Sequence, residues 1–197
     1  YFLSIVSWFM FFIAVEHLGQ RELAIANIVR SIYVVMLIPV NALATTTNTF
    51  VSNSIGARDT ALVIPIIRKI CHYSLGLMVG ICALFCLIPE QVLAVYTNDL
   101  SLIAAAVPSL YVIIVAMLIA AVSCIIFNGV SGTGNTRSAL FIESSVLVLY
   151  VLFIYITGMR MRLPVAICFG CEIVYYTGML LASALYLKKA NWQSKRI

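Results

Sequence analysis

The sequence predicts an all-α integral membrane protein, a bundle of six transmembrane helices. Three observations predict it. Of 197 residues, 63% are hydrophobic and 10% charged, where a water-soluble domain carries about 25% charged residues. Charges and turn residues divide the chain into apolar stretches, and a spanning helix needs roughly 20 apolar residues. The basic residues of the intervening loops are strongly one-sided.

Taken in order, the predicted spans are 1–17, 23–55, 62–88, 100–127, 138–158 and 164–187. The first is short and opens on Tyr1. It reads as the tail of a longer helix, so the chain is expected to belong to a larger protein. It lacks the basic n-region and small-residue cleavage site of a signal peptide. The second passes from apolar residues into PVNALATTTNTFVSNSIGARD (39–59). A helix of over 30 residues is roughly 45 Å long, and Pro39 supplies a place to bend. The Thr-, Asn- and Ser-rich half must face another helix or a watery cavity, or serve close packing through its small residues. The third, fourth and fifth spans carry no charged residue except Arg68, Lys69 and Glu143. Pro108 and Pro164 stand near helix starts, where proline is tolerated. The connections HLGQRE, GARDT, PEQVLAVYTNDLS, SGTGNTR and GMRMRLP read as loops too short for an extramembrane domain.

A formal net charge of +5 invites a nucleic-acid or acidic-lipid reading, but the placement of the charges argues otherwise. Successive spans alternate sides. One set of loops and helix margins holds Arg58, Arg68, Lys69, Arg137, Lys188, Lys189, Lys195 and Arg196. The other holds Arg21, Arg160 and Arg162. The bias puts the first set, with the C-terminal tail, in the cytoplasm, and Trp192 suits an interfacial anchor. No nucleic-acid partner is expected; lipid is.

The six cysteines (71, 82, 86, 124, 168 and 171) all fall within predicted spans. Cys168-Phe-Gly-Cys171 has CxxC spacing, yet it lacks a basic neighbour or a second ligand pair, so these thiols read as small buried hydrophobes. No metal site is expected. NGVSGTGNTR (128–137) has phosphate-loop glycines without the Lys-Ser/Thr or the preceding strand. Its Gly129-Val130-Ser131-Gly132 matches the GxSG of rhomboid intramembrane proteases, but His17 and His72 both precede Ser131, whereas that chemistry takes its base from a later helix. A tight turn whose glycines adopt unusual backbone angles explains the segment better, and no enzyme is expected.

Charges inside spans say more, because each costs about 2.5–3.5 kcal/mol at a helix centre on insertion scales. Arg30 and Glu172 enter from the same side to similar depths, about 10 and 12 Å, so they could form an ion pair if their helices touch. Glu16, at the same end of the first helix, could join them. Glu143 enters from the opposite side, followed by Ser144 and Ser145 as hydrogen-bond donors. It fits a carboxyl that binds and releases a proton as access changes. Equally, it could snorkel or pair with Arg137.

Arg30 and Pro39 in a long second helix, VSNSIGARD (51–59) and GVSGTGNTR (129–137), in that order, resemble the C-terminal half of multidrug and toxic compound extrusion (MATE) transporters. In that family the eighth helix ends in a V-G-Q-x-x-G-A-G-D-like run. Val51, Asn53, Gly56, Ala57 and Asp59 match it; Ser52 and Arg58 depart. The tenth helix ends in G-x-G-D-T-R, matched by Gly132, Gly134, Thr136 and Arg137, with Asn135 in place of Asp. The resemblance covers essentially the whole chain, as helices seven to twelve.

It implies one six-helix lobe, residues 1–197, of a twelve-helix secondary antiporter in the cell (inner) membrane, its C-terminus cytoplasmic. An N-terminal lobe would supply the other wall of a central cavity. It further implies export of drugs or organic cations, amphipathic small molecules, in exchange for protons or sodium, with no cofactor besides the ion. Sodium-type members carry acids where Ser4 and Ala120 stand here. Glu143 and Glu172 are therefore expected to carry coupling, with Arg30 as electrostatic partner, Glu16 nearby, and Asn27 and Asn48 as polar lining. The alternative is a lipid-linked oligosaccharide flippase of the same superfamily, for which Arg30 alone offers anion-binding charge. The remaining alternatives are a non-transporting scaffold, which gives no reason for acids at depth, and an intramembrane enzyme.

Overall fold

The structure, a computed structural model, describes residues 2–189, with side chains from Trp8 onward. Ser4's side chain, Trp192, Lys195 and Arg196 lie outside the described residues. The helices in order are α1 (Phe2–Glu16), α2 (Gln20–Gly56), α3 (Val63–Leu87), α4 (Pro89–Ala94), α5 (Leu100–Gly132), α6 (Thr136–Ile154), α7 (Val165–Cys168) and α8 (Gly170–Lys189). A 3-10 turn, Thr60–Leu62, leads into α3, and α6 continues as a π-helical turn, Tyr155–Arg160. No strand occurs among the described residues. Five segments are long and apolar enough to cross a bilayer: Gln20–Gly56, Thr60–Leu87, Leu100–Gly132, Thr136–Arg160 and Val165–Lys189. With α1 beside them, the chain is an all-α membrane bundle.

Helix directions follow from contacts at the ends. Arg21 Nη2 donates to the Ser101 carbonyl, near the start of α5, at 3.4 Å. At the far ends of the same two helices, Ser52 Oγ donates to the Gly132 carbonyl at 3.1 Å. The helices α2 and α5 are therefore parallel neighbours. Asn135 Nδ2, at the start of α6, donates to Tyr186 Oη near the end of α8 at 2.6 Å, so α6 and α8 run antiparallel. These relations fit spans that alternate direction.

The centre of the bundle is α5, packed on α2, α3 and α8. Ala106, Ala116, Ala120 and Ala121 are buried along it, letting neighbours approach closely. By contrast, α3 is peripheral: Tyr73, Leu77, Val79, Leu84 and Leu87 stand exposed on it, the apolar surface a helix offers to lipid.

Several local expectations change. The stretch 88–100 contains α4, because Pro89 stands at the first helical position, where its missing N–H costs nothing. The last span breaks at Phe169, between α7 and α8. Pro108 lies inside α5, not at its start, and α2 continues unbroken through Pro39. Only the end of the glycine motif is a turn. Gly129 and Gly132 are helical, and Gly134, at φ 77°, takes the left-handed conformation that favours glycine.

The helical glycines make room. A Cβ on Gly132 would stand 2.8 Å from the Asn48 carbonyl oxygen and 3.0 Å from Val51 Cβ. One face of the polar half of α2 (Thr47, Val51, Ile55) is thus buried, as close packing requires. The opposite face leaves Thr45, Thr46 and Thr49 exposed within this chain, so that half is not wholly turned toward other helices. Their hydroxyls donate to the carbonyls of Asn41, Ala42 and Thr45 at 2.9, 2.8 and 3.1 Å, satisfying themselves within the helix.

Candidate functional site

A cavity of about 540 Å³ opens between α1, α2, α5, α6 and α8. Six aromatic side chains line it: Trp8, Tyr33, Phe127, Tyr150, Tyr175 and Tyr176. Its polar lining includes Asn41, Asn128, Glu143 and Glu172. Among the described residues no Lys, Arg or His lines it.

Helical spacing explains who meets whom. On α2, Tyr33 follows Arg30 by three residues; on α8, Tyr176 follows Glu172 by four, so each pair shares a face. Arg30 Nη1 lies 3.5 Å from Glu172 Oε1, and both side chains are buried. Tyr33 Oη donates to Glu172 Oε2 at 2.9 Å. Since that proton is committed to the carboxylate, the 2.7 Å contact between Tyr33 and Tyr176 is a hydrogen bond donated by Tyr176. The result is a relay from Tyr176 through Tyr33 to Glu172. Desolvating two charges is tolerable only with such partners.

The Arg30 guanidinium also sits among aromatic rings. Its carbon is 3.7 Å from the Trp8 ring centroid and 5.2, 5.5 and 5.6 Å from those of Phe11, Tyr33 and Phe12. These are cation–π distances.

The structure brings Glu143 and Glu172 to one cavity, with Arg30 holding Glu172 from behind its wall. Three other candidates fall elsewhere. Glu16 is exposed at the end of α1 and outside the Arg30–Glu172 ion pair. Asn27 is exposed, beside a second cavity. Asn48 accepts from Ser52 Oγ at 3.4 Å beside the α5 seam and does not reach the main cavity. Helix phase is the reason: a side chain's face depends on its angle round α2, which depth alone does not give. Tyr33, Tyr150, Tyr175 and Tyr176 were missed, although the spacings of Tyr33 to Arg30 and of Tyr175 and Tyr176 to Glu172 were there to read; Tyr150, on α6, carries no such signal. Ala120 is fully buried in α5 and offers no ligand for a cation.

A family model described as MatE matches residues 1–156. The chain belongs to the MatE family. Arg30 and Glu143 lie within the matched stretch and Glu172 beyond it. Among solved structures, a MATE in complex with MaD3S superposes with a TM-score of 0.82 at 16% identity, over 96% of this chain and 43% of that one. A MOP superfamily transporter from Pyrococcus furiosus, whose binding pocket is described as having reverse polarity, gives a TM-score of 0.79 at 16% identity. That match covers 95% of this chain and 41% of the other. At such identities the likeness shows the fold, and the chain spans about two fifths of the length of these structures. Comparison with curated protein sequences gave no match.

Proposed function

We infer that this MatE-family chain is the C-terminal lobe of a twelve-helix secondary transporter, which exports organic cations or cationic amphipathic drugs in exchange for protons or sodium. The observation that carries this reading is the polarity of the main cavity: two carboxylates and six aromatic rings, with no basic side chain among the described residues that line it. Aromatic faces attract cations. Glu143 and Glu172 both stand on that lining, and Arg30 offsets the charge of Glu172. The same polarity disfavours an anionic headgroup in this cavity, and with it the flippase alternative.

In this reading Glu172 is the ion-linked group. Binding a proton there removes the charge that holds Arg30 and lets the Tyr176–Tyr33 relay reorient. Two arrangements of one buried network, biased by proton occupancy, are what alternating access requires. A second six-helix lobe forms the facing wall, and the protein sits in the cell (inner) membrane with its C-terminus in the cytoplasm, as the distribution of basic residues supports.

The test uses the full-length protein in proteoliposomes. Glu143→Gln is expected to weaken uptake of a fluorescent organic cation, and Glu172→Gln to uncouple transport from an imposed proton or sodium gradient. Wild-type coupling in both variants would remove these acids from the mechanism.

A further inference from the structure

Arg30 is also among the residues lining a second cavity, of about 440 Å³, which shares Trp8 with the first as a common wall. The two spaces have opposite polarity. The first is lined by carboxylates without a cation; the second has Arg30 as its charged residue and no carboxylate among the described residues lining it. Its polar groups include Asn27 and Tyr96, and Phe12, Val34 and Val35 supply an apolar bed.

Arg30 is 4% exposed, and its hydrogen bonding is incomplete. Nη1 is spent on Glu172 at 3.5 Å, long for a charge-assisted hydrogen bond. Nε and Nη2 are buried and have no acceptor among the described residues. A buried guanidinium with idle donors is costly, and an acceptor of negative charge relieves it best. Trp8, which covers the guanidinium face, is itself 40% exposed, so it has room to turn aside.

The geometry points to an anion subsite in this second cavity: it takes a small free anion or the negative head of an amphiphile, held by Arg30 with Asn27 and Tyr96 as hydrogen-bond donors. The anion takes the donors that Glu172 leaves idle, so one guanidinium serves both. Occupancy of the second cavity therefore acts on the cation that holds the carboxylate of the first, linking two spaces that share only a tryptophan wall. The site needs no lobe movement, so it stands or falls separately from transport.

Binding to the full-length protein tests it, with bromide as the free-anion probe and phosphatidylglycerol as the lipid probe against phosphatidylcholine. An anomalous bromide peak beside the Arg30 guanidinium supports the site with a free anion as occupant. Selective retention of phosphatidylglycerol in native mass spectrometry supports it with a lipid head. The double variant Asn27→Leu/Tyr96→Phe, which leaves the Arg30–Glu172 pair intact, is expected to lower whichever binding is seen about tenfold. Arg30→Gln should abolish it, but the double variant decides if that protein does not fold. Neither probe bound, or binding unchanged in Asn27→Leu/Tyr96→Phe, overturns the proposal.

Discussion

Tyr33 stands between Glu172 and Tyr176, donating to the carboxylate at 2.9 Å and accepting from the phenol at 2.7 Å. Removing its hydroxyl breaks both contacts at once. Tyr33→Phe is expected to cost about 1.5–3 kcal/mol, the range for a hydrogen bond to a charged group. Tyr176→Phe should cost about 0.5–1.5 kcal/mol, since only a neutral bond is lost. Reversible unfolding of the full-length protein in bicelles measures both, and equal losses would mean that the relay is not ordered as described.

The buried pair makes a sharper prediction. Arg30→Met leaves Glu172 as an uncompensated charge and should cost about 3–5 kcal/mol. Replacing both, as Arg30→Met/Glu172→Met, should recover most of that loss, because two apolar side chains need no mutual compensation. A double variant less stable than either single one contradicts the pairing.

Two glycines of α5 should respond differently to alanine. At position 132 the new Cβ meets a backbone carbonyl at 2.8 Å, which cannot yield without moving α2. Gly132→Ala should therefore destabilise by about 1–3 kcal/mol. At position 129 the obstacle is Ile67 Cδ1 at 2.5 Å, the far end of a flexible side chain. Gly129→Ala should stay within about 1 kcal/mol of wild type, since better helix propensity offsets a rotamer change. Thermal unfolding of the two variants, compared side by side, checks the contrast.

At the exposed start of α5, Asp99 caps the helix: Oδ1 accepts from Ser101 N at 2.9 Å. Hydrogen bonding from Ser101, side chain first and backbone second, holds the Asp99 carboxyl below the usual carboxylate range. A lowered folded-state pKa means that the stabilisation is present above the unfolded pKa of about 3.9 and is lost as pH falls through the folded value. The melting-temperature gap between wild type and Asp99→Ala should be constant from pH 7 to about pH 5 and close at lower pH. A gap that persists at pH 2 excludes the ionised cap as its source.

The exposed and buried threonines of α2 give an accessibility test. Thr45→Cys and Thr49→Cys in the full-length protein should react with a maleimide, and Thr47→Cys, fully buried against α5, should not. Labelling of all three alike would mean that α2 and α5 separate.

Much of this architecture was legible because the bilayer imposes simple rules. Apolar runs of sufficient length become spans, and the levels of Arg30 and Glu172 could be counted residue by residue. The break at Phe169 and the short helix after Pro89 were not legible, because each depends on one or two residues inside stretches of otherwise uniform composition. At the site, depth was readable and direction was not. Glu143 and Glu172 share a cavity because of how α6 and α8 are rotated about their axes, which hydropathy does not encode. Asn27 and Asn48 missed the main cavity for the same reason. The tyrosines escaped notice because ten of them occur in the chain, and an aromatic residue in a membrane helix ordinarily packs or faces lipid.

The seam at Gly132 fixes more than local packing. The Asn48 carbonyl and the Gly132 backbone leave no room for a side chain between α2 and α5, and Ser52 clasps the two helices at the same end. A rearrangement that keeps this seam moves the two helices as one body, from Ser52 at one end to Arg21 and Ser101 at the other.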